Sequence, residues 1–346
     1  MRKIHGKMHR KMHSIALKSI GLFALAGLVA CGQPDVGEST SSSTESFGLM
    51  SVTYTHNQAL SPTFSSSDAS SDTVSGLELL TTAQFVRYSA LQRGQVERLL
   101  ALPLDPAKLP AEEQCTLEDL TVELEEEGVL EEEAELANVE LLEAGDLQVE
   151  TASGAKISLV PKHFPGLLPF ISGVIYGEAQ SDRVLKTSAV LATTRGSEAV
   201  GAFSVRAESP TLPRLQSVGA QPLDAPISLR QGDPVELRWQ ALQGSGSDGS
   251  GSDGSGSDGS ESDVLYAEAR IVDAQRDVVL RCRLRENGAF TLPGSLLSEL
   301  ARAGNTKRTR LQIDLARLRR VYFETSGLER GELRVIARDR VTVELK

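Results

Sequence analysis

Cys31 closes the run Leu28-Val29-Ala30-Cys31 and carries the most specific chemistry in the chain. Its thiol is a nucleophile, and the small Ala30 side chain leaves the Ala30–Cys31 bond open to a peptidase. Elsewhere reactive residues are sparse. Beyond residue 31 only two histidines remain, His56 and His163. His56 falls in a Ser/Thr-rich stretch where nothing is expected to orient it, and His163 stands alone between Lys162 and Phe164. There is no paired His spacing for zinc, no nucleophile elbow and no phosphate loop. Acids are many, but none is marked out as a carboxylate pair for sugar hydrolysis. No catalytic residue, metal ligand, cofactor-binding residue or cofactor is assigned.

The segment that must position Cys31 has the three-part plan of an export signal. A basic start holds Arg2, Lys3, Lys7, Arg10, Lys11 and Lys18 and no acid. An apolar run follows over residues 20–30, too short for a hydrocarbon core that needs about twenty residues. The sequence from Leu28 to Cys31 resembles the lipobox of bacterial lipoproteins. That resemblance implies cleavage before Cys31 and a diacylglycerol on its sulfur. Each buried methylene contributes about 0.8 kcal/mol, and a single acyl chain binds only reversibly. The two or three chains of such proteins imply stable attachment to a lipid bilayer. In Gram-negative lipoproteins an Asp after the cysteine favours the inner membrane, so the resemblance, with Gly32 there, implies the outer membrane where the cell has one.

The remaining two cysteines, Cys115 and Cys282, fall in different candidate domains. Cys282 alternates in phase with Val278, Leu280 and Leu284, as a core residue does. Two buried free thiols are therefore expected, with a disulfide as the alternative in an oxidising compartment. Residues 246–260 are three copies of Gly-Ser-Asp-Gly-Ser, and a degraded fourth carries Asp263. Neither an EF-hand loop nor a nine-residue calcium repeat has that period. A hairpin-loop insertion over 244–263 is expected. Glu125 to Glu127 and Glu131 to Glu133, with Glu135, form the densest charge and read as a solvated face or loop.

The chain holds 36 Lys+Arg against 47 Asp+Glu, a net charge of −11. Loss of the six basic residues of the signal takes this to −17. Such a surface repels phosphate, so nucleic acid is excluded as an expected partner. Four regions follow: signal peptide 1–30, Ser/Thr-rich flexible tether 31–76, a β-rich domain 77–210 and a second β domain 211–346. Residues 81–100 fit a helix, with Phe85, Tyr88, Leu91, Val96 and Leu99 near a 3.6 period, and a strand over 83–86 fits nearly as well. Alternation marks short strands near 139–141, 147–149, 157–159, 188–193 and 202–205. In the last region it marks 235–239, 265–271 and 278–284, then 311–315, 318–323, 333–337 and 341–345. Asn287-Gly288 is a strong turn signal and 296–300 a short helical turn. The expectation is a mainly β chain of two small antiparallel domains after a disordered lipidated tether. The second domain is an Ig-like sandwich with Trp239 in its core.

The runs Val235-Glu236-Leu237-Arg238-Trp239, Val279-Leu280-Arg281-Cys282 and Asn287 to Pro293 resemble secreted lipoproteins of unknown function from myxobacteria. Residues 142–147 and 201–205 carry the same likeness. It implies a β-rich, Ig-like last domain and no known activity. The functional expectation is an envelope lipoprotein that binds or supports without catalysis, with an envelope protein or glycan as partner. An envelope enzyme acting on glycan or peptide is the alternative. Fold does not decide between them.

Overall fold

The computed structural model describes residues 44–58, 74–120, 138–152, 154–164, 170–185, 189–242, 263–272, 274, 276–304 and 309–346. In chain order the first strands are β1 (Glu45–Asn57) and β2 (Val74–Ser89), followed by helix α1 (Arg93–Leu99). Then come β3 (Cys115–Asp119), β4 (Asn138–Leu141), β5 (Leu147–Thr151), β6 (Lys156–Leu159), β7 (Pro161–His163) and β8 (Ile171–Leu185). Next are β9 (Ala189–Thr194), β10 (Phe203–Glu208), β11 (Leu215–Val218), β12 (Gln221–Pro222), β13 (Ser228–Leu229) and β14 (Val235–Trp239). The last are β15 (Val264–Ile271), β16 (Val278–Arg283), β17 (Ala289–Leu292), helix α2 (Gly294–Gly304), β18 (Thr309–Phe323) and β19 (Arg330–Leu345). The chain is mainly β, with several antiparallel sheets and no barrel.

One eleven-stranded sheet runs β3-β16-β15-β18-β19-β1-β2-β4-β8-β7, with β13 beside β19. Two four-stranded sheets, β10-β9-β5-β6 and β12-β11-β14-β17, complete the set. Most pairs are antiparallel, but β1–β19, β4–β8 and β13–β19 are parallel. The period-two rule separates the faces of the long sheet. On β19, Leu333 and Val335 enter one buried cluster and Val341, Val343 and Leu345 another. These residues share one phase, so both small sheets cover the same, inner face. The first cluster packs Met50, Val52, Tyr54 and Phe85 against Val149, Ile157, Val190 and Val205. The second packs Leu265, Ala267, Leu280 and Ile313 against Val235, Leu237 and Trp239, with Leu297 and Leu300 of α2. The boundary expected near residue 210 falls in the crossover between the two small sheets. The long sheet itself takes strands from both sides of that boundary.

Two expectations are corrected. Residues 45–57, expected within the tether 31–76, form β1, hydrogen-bonded to β2 on one side and β19 on the other. Positions 47–55 are all buried. A strand buried on both faces loses its alternation, and Ser51, Thr53 and Thr55 disguise it as a polar stretch. The remainder of the expected tether, apart from the start of β2 and residues 44 and 58, lies outside the described residues. The second correction is Cys115–Cys282, which is a disulfide with Cα atoms 4.1 Å apart. The sequence phase placed Cys282 correctly on the inner face. It missed that 115–119 joins the sheet edge beside β16, with Cys115 directly opposite Cys282.

The helix expected over 81–100 holds only for α1, and residues 81–89 belong to β2, the alternative reading. The separate strands expected over 311–323 and 333–345 are each continuous. Gly288 takes φ +82° in the expected Asn287-Gly288 turn. Trp239 is 3% exposed, as its phase required. Trp239→Ala is expected to cost about 3–5 kcal/mol, because the cavity collapses only in part. Parent emission should be blue-shifted. Solvent-like emission, with an alanine variant as stable as the parent, would show the indole on the surface. Reduction, or paired Cys115→Ser and Cys282→Ser, should lower the unfolding midpoint. A bridge closing 167 residues contributes up to about 5 kcal/mol in the chain-entropy treatment.

Candidate functional site

The outer face of the long sheet is crossed by the segment after β2. Within α1, Val96 is buried, and with Leu100 it packs on Phe47, Leu49, Val86, Tyr88 and Leu141. Gln92 and Gln95 form a reciprocal capping box at its start. Further along, Arg334 Nη1 donates to the carbonyls of Pro103 and Leu104 at 2.6 and 2.9 Å. Asp105 Oδ1 accepts from Ala107 N at 2.9 Å, capping a 3-10 turn over Pro106–Lys108. Leu109 then packs on Tyr266, Ala316, Leu318 and Ile336, and the chain passes on into β3 at the sheet edge. Residues 90–114 are thus a strap held on the outer face by apolar contacts and backbone acceptors.

Beside the strap the floor is a ladder of opposite charges. Leu265, Ala267, Ala269 and Ile271 face the inner core, so alternation turns Tyr266, Glu268 and Arg270 outward. Glu268 lies opposite Arg281 on β16 and Asp314 on β18, and Asp314 lies opposite Arg340 on β19. Arg281 Nε donates to Glu268 Oε1 at 2.8 Å, and Arg281 also pairs with Glu118. Arg340 grips both oxygens of Asp314 at 2.8 and 3.0 Å. Arg338 lies between them, 3.4 Å from Asp314 and 4.0 Å from Glu268. Burial alone would lower the pKa of Arg338, but Tyr266, Asp314 and Glu268 outweigh it and raise it. Burial pushes the Tyr266 hydroxyl up to about 12. Glu268 is 4% and Asp314 1% exposed. Charges buried this deeply are tolerated only because they are paired.

Floor and strap enclose a groove of about 1250 Å3. The β1–β2 side contributes Ser51, Thr53, Thr55, Thr82 and Gln84, and the strap contributes Gln92, Gln95 and Lys108. Among the described residues the lining holds six cationic and seven anionic side chains, so it is nearly charge-balanced within an acidic chain. Leu80 stands on it 49% exposed. Among the described residues no histidine lines the groove, and Glu268 and Glu118 are both paired with guanidiniums. Among the described residues no group of three His, Cys, Asp or Glu converges on a point. The geometry presents paired donors and acceptors on strands of one sheet.

A second polar cluster lies on the inner face, between the two cores. Asp339 shares the phase of Val335 and Val341 and is fully buried. His56 Nδ1 donates to its Oδ1 at 2.8 Å. Its Oδ2 accepts from Gln58 Nε2 at 2.6 Å and Leu215 N at 2.8 Å. Nearby on β18, Arg317 clasps Glu286 at 2.7 and 2.9 Å and donates to Thr211 O at 2.5 Å. Both clusters bond the crossover between the small sheets. His56, expected to be unoriented, is held by this buried carboxylate. His163 sits on β7 and is exposed.

Leu28, Val29, Ala30 and Cys31 lie outside the described residues. So do the glutamates from 125 to 135 and the pentad insertion up to residue 262. Asp263 is described and accepts from Arg319 Nε at 2.6 Å. The groove was missed by sequence reasoning, although a signal existed: Glu268, Arg270, Arg338 and Arg340 occupy the polar phase of strands whose other phase is apolar. Such a phase normally reads as solvated surface.

Asp339→Ala leaves three donors facing a void. A buried unsatisfied donor costs about 1–3 kcal/mol, so a loss of at least about 3 kcal/mol is expected in denaturant unfolding. A change under about 1 kcal/mol would show that the seam is not held there. The chain matches no protein-family model, no curated protein and no solved structure.

Proposed function

We propose that this chain is a lipid-anchored envelope protein, held by acylated Cys31 on the outer membrane, whose groove binds an envelope ligand without transforming it. The observation that carries the binding reading is the floor ladder Arg281–Glu268–Arg338–Asp314–Arg340 beside an open volume of about 1250 Å3. Ligand sites combine a concave volume with a few fixed polar groups, and rigid elements hold such groups better than loops do. Here most of the groups stand on strands of one sheet. The anchoring part rests on the signal plan and the box from Leu28 to Cys31. The likeness of residues 235–239, 279–282 and 287–293 to secreted lipoproteins of myxobacterial type supports the same setting.

Cys31→Ser is expected to abolish incorporation of radiolabelled palmitate, and label in the variant would remove the anchor. For the binding reading, detergent-solubilised protein should cosediment with the insoluble envelope fraction of its own cell. No new reducing ends or free amines should accumulate. Their release by the parent, and loss of that release in Glu268→Gln, would establish the enzymatic alternative instead.

A further inference from the structure

We propose that the groove takes a neutral, polyhydroxylated chain: a segment of uncharged glycan. This rests on the binding reading above and adds the ligand class. The first argument is charge. An anionic ligand would approach a mature chain of net charge −17 and find no surplus of cations, since among the described residues six cationic side chains of the lining face seven anionic ones. A cationic ligand would have to compete for Glu268 and Glu118, which guanidiniums already hold. An uncharged ligand meets neither obstacle.

The second argument is hydrogen-bond chemistry. A sugar hydroxyl donates once and accepts twice. A surface of adjoining guanidiniums and carboxylates offers it an acceptor and a donor a few ångströms apart. Ser51, Thr53, Thr55 and Thr82 extend this pattern across β1 and β2 with groups that also donate and accept. The third argument is the exposed Leu80, opposite Thr53 in the β1–β2 register. It provides an apolar spot among polar groups, matched to the C–H face of a pyranose ring. The volume exceeds the roughly 300–1,000 Å3 of drug-sized sites, which fits several sugar units rather than one.

The test is calorimetric titration of the detergent-solubilised full lipoprotein with cellohexaose, maltohexaose and chitohexaose, and with hexagalacturonate as the acidic counterpart. At least one neutral hexasaccharide should bind, with affinity changing less than twofold between 50 and 500 mM salt. Salt screens charge pairing over such distances, so this insensitivity separates hydroxyl recognition from ion pairing. Leu80→Glu, at an exposed position, should weaken binding at least tenfold with an unchanged melting temperature. Binding of hexagalacturonate alone, weakened by salt and by Leu80→Glu, would overturn the neutral class and leave the groove as the binding site. Neutral binding undiminished in Leu80→Glu would place the sugar elsewhere and overturn the groove reading. No binding by any of the four would overturn the glycan proposal, while cosedimentation with the envelope would still stand or fall separately.

Discussion

The period-two phase of the β18–β19 pair is the constraint on which the rest of the structure depends. These strands are 15 and 16 residues long, about three times the usual strand, and they pair without a break from Thr309–Leu345 to Phe323–Gly331. Because the phase cannot reset along such a pair, one choice of face governs everything stacked on it. The odd positions build two apolar cores in series, and at the join they supply Asp339 and Arg317 instead of apolar side chains. The even positions supply Asp314, Arg338 and Arg340 to the other face. A slip by one residue would send Leu333, Val335, Val341 and Val343 to the groove and the arginines to the cores.

The join between the cores has its own logic. The crossover from β10 to β11 must pass between two sheets, and its backbone groups need partners. Thr211 O takes a guanidinium N–H and Leu215 N finds a carboxylate. The charges of Asp339 and Arg317 are buried there, but each is fully engaged, and removing a partner is far costlier than the net worth of the pair. This register of polar contacts ties the two small sheets to one long one.

Much of the fold was legible in the sequence. Strands β14, β15, β16, β18 and β19, the Asn287-Gly288 turn and the burial of Trp239 follow from alternation and turn chemistry alone. The failures share a physical cause. β1 is buried on both faces, so Leu49, Ser51 and Thr53 occupy one phase as Met50, Val52 and Tyr54 occupy the other, and the contrast that marks a strand disappears. The disulfide, the His56–Asp339 bond and the Arg334–Pro103 bond of the strap join residues 167, 283 and 231 apart in sequence. Local periodicity gives a residue's face but not its neighbour, so Arg281 and Glu268 read as surface charges rather than as one buried pair.

The central claim is that the outer face, between strap and ladder, is where this protein meets its ligand. Amide hydrogen exchange with and without a saturating neutral hexasaccharide tests it most directly, because exchange reports each segment separately. The account predicts slower exchange in the strap, over residues 92–108, and in β1 and β2 across Ser51, Thr53 and Thr82, with the small sheets unchanged. Protection confined to β9, β10, β11 or β14 would contradict it.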